Sequence, residues 1–337
     1  MSEAELNLTN RDKLILRELS TNSRVSLTRL AKTAGCSVAT ANKLLNNLVK
    51  KLDIRFTLEI ELDKLGLGER HIIYVKFENK PDEAFLYNLF KDDPFAQDVY
   101  ITEGKFDLLI FVAAETSRNY IKWETDLAAN LSDYFPDLRP SEFVFDLLGY
   151  MPLNNAFVNY IKEEVKVDRK DRLILQLLNE NSRISYREIS KQLGISEDTI
   201  RYRVFKLVKR GIIRRFTVAV QKTGGVVGAY FARYRFDKHT ISDIFPEQRR
   251  HSMTENEALP LINRTPIIVL LSGSYRFFGM SFGKTKEESF SGGIKWHLNL
   301  LKNNQPHEAH AIITKPIKGL LPLRNVDAKQ YYRLIWT

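Results

Sequence analysis

Apolar residues in the first fifty positions recur at helical spacing. Leu14, Ile15 and Leu19 mark one face of a first helix, and Leu27, Leu30, Ala31 and Ala34 mark a second. Gly35 stands where the second helix must stop, at a position suited to a left-handed cap, and Ser37 follows as the N-cap of a third. The pattern then returns. Asp12 to Leu16 (DKLIL) is answered by Asp171 to Leu175 (DRLIL), Asn22 to Ser26 by Asn181 to Ser185, and Leu48 to Lys50 by Leu207 to Lys209, each 159 positions later. One added residue near Gly211 brings Arg55–Thr57 into register with Arg215–Thr217. In the second copy the same faces are Leu173, Ile174 and Leu178, then Tyr186, Ile189 and Leu193, with Gly194 as stop and Ser196 as cap. Each copy therefore opens as helix, tight turn, helix, helix and strand, and the chain is a tandem repeat.

The third helix of the second copy is predicted to bury Ile200, Val204, Leu207 and Val208, which leaves Tyr202, Arg203, Lys206 and Arg210 on the opposite side. A helix with a basic and aromatic outer face fits a DNA major groove, where Arg bonds guanine, Asn bonds adenine and Lys contacts phosphate. The candidate DNA-binding residues are Ser196, Thr199, Arg201, Tyr202, Arg203, Lys206, Lys209 and Arg210, with Arg214 and Arg215 opening the following strand as a wing. The first copy offers Asn42, Lys43, Asn46, Asn47 and Lys50, with Leu44 where the second has Arg203. That helix is less cationic, and the alternative for it is a degenerate copy kept for packing.

Between and after these units the alternation of patterns predicts βαββαβ. In the first copy the strands are 71–77, 97–102, 105–114 and 142–148, and the helices 82–92 and 117–132. In the second they are strands at 228–236, 267–273, 275–282 and 308–314, a helix at 286–301 and another within 240–263. That order is ferredoxin-like, and such sheets commonly pair. The expected fold class is α+β, two winged helix-turn-helix domains (1–62 and 168–222) alternating with two ferredoxin-like domains (63–153 and 223–318). A linker at 154–167 and a tail at 319–337 complete the division, the tail being apolar enough to dock on a sheet edge.

Composition narrows the function. At 337 residues, 44% hydrophobic and 27% charged, the chain is globular and large enough for several cores. A net charge of +10 favours a polyanionic partner. The lone Cys36, read as a small buried residue, excludes an internal disulfide framework or cysteine-rich zinc site. The six histidines show no metal-ligand spacing. The apolar runs are strand-length and no signal peptide is visible, so a cytoplasmic protein without membrane contact is expected. No nucleophile elbow, phosphate loop or metal motif appears, so neither catalytic residues nor a cofactor are assigned.

Asp171–Leu175, Asn181–Ser185, Leu193–Ser196, Thr199, Arg203, Val204 and Gly211–Ile213 together resemble the helix-turn-helix of the Lrp/AsnC transcription regulators. Thr102–Leu108 (TEGKFDL) resembles the turn between the second and third strands of that family's amino-acid-sensing domain. The resemblance covers nearly the whole chain, twice. It implies sequence-specific binding of double-stranded DNA, paired sensing domains, and often a small effector such as an amino acid near that turn. The residues implied here are Gly104, Phe106 and Asp107, and in the second copy Gly273 and Tyr275. For both glycines the alternative is a plain tight turn. Departures from the family pattern include Leu52–Ile54 (LDI) in place of Gly-Ile-Ile, Leu44 in place of Arg, and Arg276 answering Asp107. Pairing of the two sensing domains within one chain would make a pseudo-dimer that reads an asymmetric site, led by the second unit, with homo-oligomers beyond it open. Two alternatives remain at this point. Gly211–Arg215 also resembles a stretch of the siroheme decarboxylases, which share this architecture and are enzymes, and the helix-turn-helix units could instead bind protein.

Overall fold

The computed structural model describes residues 8–148, 167–220, 226–233, 267–273, 277–283, 307–318 and 321–322, together with 275, 285–287 and 289. The first unit is α1 (Asn10–Thr21), α2 (Leu27–Ala34), α3 (Val38–Leu52) and β1 (Ile54–Ile60). Each helix starts where a short polar side chain accepts an otherwise orphaned amide. Thr9 caps α1, Ser26 caps α2 and Ser37 caps α3. Helix α2 ends on Gly35 in the left-handed region (φ 60°), a conformation that costs a residue with a Cβ. The second unit repeats this in α6 (Arg169–Glu180), α7 (Tyr186–Leu193), α8 (Glu197–Lys209) and β6 (Ile213–Val220), with Asp168, Ser185 and Ser196 as caps and Gly194 at φ 65°. On the first helix of each copy the core-facing residues are Ile15, Leu16 and Leu19, or Ile174, Leu175 and Leu178; Leu14 and Leu173 turn toward the rim.

The elements that follow are β2 (Glu69–Phe77), α4 (Glu83–Phe90), β3 (Ala96–Gly104), β4 (Leu108–Ala114), α5 (Ser117–Asn130) and β5 (Pro136–Leu148). In the second copy they are β7 (Val226–Arg233), β8 (Ile267–Gly273), β9 (Phe277–Gly283) and β10 (His307–Lys318). The helices expected within 240–263 and over 286–301 lie outside the described residues, apart from 286–287 and 289, as does most of the tail. Its residues Leu321–Pro322 form β11, which pairs with β6.

Both sheets have the ferredoxin strand order, β3-β4-β2-β5 and β8-β9-β7-β10, and they join edge to edge into one closed eight-stranded barrel. The seams are equivalent: β5 pairs with β8, and β10 with β3, all antiparallel. Closure explains why β5 begins at Pro136 rather than near 142. Its first half pairs with β2 of its own copy and its second half with β8, and only the second half carries the apolar run that the sequence pattern displays. One barrel face packs under α4 and α5 through Ile73, Val75, Leu86, Phe90, Ile110, Trp123 and Leu127. On the other face Tyr74, Phe106 and Phe111 meet Phe231 and Phe278 of the second copy, with Phe231 centred 4.8 Å from Tyr74 and 5.5 Å from Phe106.

The strands expected to serve as wings are used differently. β1 and β6 pair antiparallel with Thr57 directly opposite Thr217, so the repeat's two-fold axis passes between equivalent residues. Each strand also crosses to the other unit: Val218 joins the core of the first unit, and Leu58 that of the second.

Candidate nucleic-acid interface

Helix α8 is held from beneath by Ile200, Val204 and Leu207, all fully or nearly buried. Its first turn is organised by Ser196, whose hydroxyl accepts from the Thr199 amide at 3.2 Å and lies 2.8 Å from the Thr199 hydroxyl. Arg201, Tyr202, Phe205, Lys206, Val208 and Lys209 are exposed. Val208, expected inside, is turned out at 41% exposure because Leu207 covers the core at the helix end. Phe205 at 62% and Tyr202 at 64% stand beside it. Arg201 is tethered to Glu197 one turn earlier at 3.1 Å. On α3 the core residues are Ala41, Leu45, Leu48 and Leu52, and Asn42, Lys43, Asn46, Asn47 and Lys50 all face outward. Leu44 is half-buried.

Arg203, expected on the reading face, does not reach it. Its guanidinium is held between Asp168 and Asp171, with Nη1 at 2.7 Å from each carboxylate. The hydrogen bond that Arg203 donates to Asp171, ahead of the one to Asp168, outweighs burial and holds Arg203 more firmly charged. Burial pushes Asp168 up, but the Asp171 amide and Arg203 pull it below the usual carboxylate range. In the first unit the equivalent positions are Thr9, Asp12 and Leu44. There Thr9 and Asp12 close a capping box on each other, with the Thr9 amide 2.9 Å and its hydroxyl 2.7 Å from the Asp12 carboxylate, and no cation is needed.

Arg214 and Arg215, expected at a free wing, are likewise engaged. Arg215 pairs with the buried Glu59, and Arg214 lies 3.7 Å from Glu59 and 3.6 Å from Glu61. The reason is the β1–β6 ladder, which sets Glu59 opposite Arg215. Arg210 is half-buried, and its carbonyl accepts from Lys64 at 3.0 Å.

The two units are locked together by residues that the repeat pattern displayed without revealing their role. The Ser23 and Ser182 hydroxyls are 2.6 Å apart and buried. Arg24 donates to the Ser182 and Ile184 carbonyls at 2.6 and 3.0 Å, and Arg183 returns the contact to the Ser23 and Val25 carbonyls at 3.1 and 3.4 Å. Arg24 lies over Tyr186 and Arg183 over Phe56, 4.5 and 5.3 Å from the ring centres. The Ser23 amide donates to the Phe216 carbonyl and the Ser182 amide to that of Phe56. Burial, and then the like charge of Arg24, depress Arg183.

The expected effector residues sit at the barrel seams. Gly104 (φ 131°) pairs with Ala311 across one, and Gly273 (φ 129°) with Ser141 across the other. Phe106 is completely buried, and Tyr275 packs 5.6 Å from Tyr74 and 5.4 Å from Phe231. Asp107 is already satisfied: its carboxylate accepts from the Phe77 amide at 3.1 Å, Lys76 at 3.1 Å and Lys80 at 2.8 Å. Burial pushes its pKa up, but Lys80, the Phe77 amide and Lys76 pull it further down, below the usual range. Phe106 and Asp107 thus build the turn and the barrel wall. Among the described residues no group of three or more His, Cys, Asp or Glu could hold a metal ion, and no helix is long and apolar enough to cross a membrane.

A model of winged helix-turn-helix DNA-binding domains matches residues 167–214. An uncharacterized HTH-type transcriptional regulator of Pyrococcus furiosus is 31% identical over 112 residues, 33% of this chain and 69% of that protein. The HTH-type transcriptional regulator LrpA of Pyrococcus horikoshii is 41% identical over 54 residues, 16% of this chain and 38% of its own length. Across such relatives the matched segments span 36% to 69% of the relative. Among solved structures, the siroheme decarboxylase NirDL superposes with a TM-score of 0.54 at 16% identity, covering 97% of this chain and 98% of that one. That likeness shows that the whole two-copy arrangement is a fold known elsewhere. With two winged helix-turn-helix units, ferredoxin-order sheets and a regulator relative matched over two thirds of its length, the chain belongs to the Lrp/AsnC family.

Proposed function

We propose that this protein is a transcriptional regulator that binds double-stranded DNA in a sequence-specific manner as an intramolecular pseudo-dimer. The observation that carries the reading is the pair of outward-facing helices, α3 and α8, whose units are fixed to each other by the Ser23–Ser182 and Arg24–Arg183 contacts. Two readers held in one fixed relation make a two-half-site module. Their outer faces differ, so the operator is asymmetric, and the second unit leads because α8 alone presents an arginine, Arg201, beside exposed aromatic side chains. Net charge does not separate the helices, since α3 carries Lys43, Lys50 and Lys51 with no acid while α8 sets Glu197 and Asp198 against its four cations. The DNA-facing set is Ser196, Thr199, Arg201, Tyr202, Lys206 and Lys209 on α8 and Asn42, Lys43, Asn46, Asn47 and Lys50 on α3; Arg203, Arg210, Arg214 and Arg215 support it from behind. In this reading residues 1–62 and 168–222 read DNA, and 63–153 and 223–318 pair and sense. A small effector such as an amino acid would act at the seams beside Gly104 and Gly273.

The test is enrichment of genomic fragments by the purified chain across a salt series, beside Arg201→Ala/Lys206→Ala/Lys209→Ala. Selective enrichment that collapses in the variant, with log affinity linear in log salt, supports the reading. Equal, salt-insensitive binding by both proteins overturns the leading role of α8 and the groove assignment together.

A second reading is carried by the fold match along nearly the whole chain to NirDL, a siroheme decarboxylase. It predicts a tetrapyrrole absorbance band on titration with an iron porphyrin carboxylate and release of carbon dioxide. The first reading, a regulator that is not an enzyme, predicts neither.

A further inference from the structure

We infer that the second recognition helix reads thymine C5-methyl groups, through Phe205 with Tyr202 and Val208 at its sides; this rests on the DNA-binding reading above. Among the described residues, large apolar side chains left exposed are few, and three of them, Tyr202, Phe205 and Val208, share one side of α8. The others, such as Tyr87, Ile121 and Phe135, stand on separate elements away from it. A cluster of this kind on a monomer's surface marks a place of contact.

The repeat supplies the control. Position 205 corresponds to Asn46 and position 202 to Lys43, on a helix of the same fold with the same cap and the same buried face. The fold therefore does not require an aromatic ring there, and the ring belongs to what α8 touches. Arg201, Lys206 and Lys209 are exposed around the stripe, which makes a polyanion the complementary partner. A major groove meets both demands: phosphates on its rims for the cations, and thymine methyls on its floor as the apolar group that base edges present there. Residues 202 and 205 are separated along the helix axis by about 4.5 Å, close to one base-pair step, so the two rings suit neighbouring thymines. The first helix, with Asn42 and Asn46 one turn apart, would read adenine edges instead. The two half-sites then differ in the chemical group recognised.

The experiment uses the full chain and the duplex it enriches most strongly, with deoxyuridine replacing thymidine in one half-site at a time. Uracil keeps base pairing and loses only the methyl. The wild type is expected to lose about fourfold in affinity per contacted methyl in one half-site and to be indifferent to uracil in the other. Phe205→Ala is expected to bind thymine DNA more weakly by a similar factor and no longer to respond to uracil, and Phe205→Leu is expected to restore part of both. Phe205 is exposed, so these variants should unfold at the wild-type midpoint, which separates lost reading from lost structure. A wild type that enriches a site and is indifferent to uracil throughout overturns the inference and leaves DNA recognition standing. Enrichment of no fragment at low salt removes both. A Phe205→Ala protein that binds thymine DNA like the wild type but changes from dimer to monomer in sedimentation also overturns the inference, and makes the stripe a contact between copies.

Discussion

The inner and outer surfaces of the two winged-helix units follow opposite rules. Where the units meet, the central pairs are the same in both copies: Ser23 against Ser182, Arg24 against Arg183, Thr57 against Thr217. Where they face outward it is not: Asn42, Lys43 and Asn46 on α3 are replaced by Arg201, Tyr202 and Phe205 on α8. A two-fold contact requires the same groups from both sides, because each residue meets its own equivalent or that residue's neighbour. A reading surface has no such constraint once both copies lie in one chain. Identity across the repeat thus marks the two-fold pairs, while divergence has two sources: the outer faces of α3 and α8, and one-sided contacts such as Glu59 with Arg215, whose counterpart sets Ala219 opposite Arg55.

The largest effect should come from breaking the conserved side of this comparison. Ser182→Asp puts a carboxyl group against the buried Ser23 hydroxyl, where the two oxygens are 2.6 Å apart. The expected loss is on the order of 3 kcal/mol, from crowding and from burying a group that prefers water. Ser182→Ala, which removes one hydrogen bond without adding volume, should cost about 1 kcal/mol. Urea unfolding of both variants checks this, and an Asp variant as stable as the wild type would show that the units are not locked here.

The second test sharpens the comparison at a position where the copies differ for a structural reason. Arg203→Leu copies the first unit's Leu44 but leaves Asp171 buried without its cation, at an expected cost of about 2 kcal/mol. Adding Asp168→Thr supplies the first unit's whole solution, a threonine cap facing the aspartate, and should recover most of that loss. A double-mutant cycle measures the coupling, and purely additive losses would mean that the two arrangements are not interchangeable.

These positions also show what the sequence could and could not disclose. The repeat, the caps at Ser37 and Ser196, the glycine stops and the outward set on α3 follow from local spacing, and the structure has them in place. Arg203 was harder, because it lies at the edge of the helical face, and Phe205 went unmarked among the outward residues. What separates them is a contact with Asp168 and Asp171, more than thirty positions earlier in the chain. Arg214 and Arg215 were read as wing cations because a strand after a recognition helix carries no mark of its partner. Their acids, Glu59 and Glu61, belong to the other copy. The same non-local cause hid half of β5 and the pairing of Asp107 with Lys76 and Lys80.

The smallest expected effect concerns that aspartate, which the second copy replaces with Arg276. The Asp107 pKa is lowered in the folded chain, so its contribution is fully present above the unfolded value near pH 4 and is lost as pH falls through the folded value. Asp107→Asn keeps the shape and one acceptor oxygen but removes the charge. At neutral pH it should cost about 1 kcal/mol, a modest figure because both lysines are solvent-screened. The difference between the two proteins should then narrow below about pH 4 as the wild-type carboxylate takes up its proton. Unfolding curves at pH 7, 4 and 3 follow that convergence. A constant gap across the range would mean that Asp107 acts through shape rather than charge.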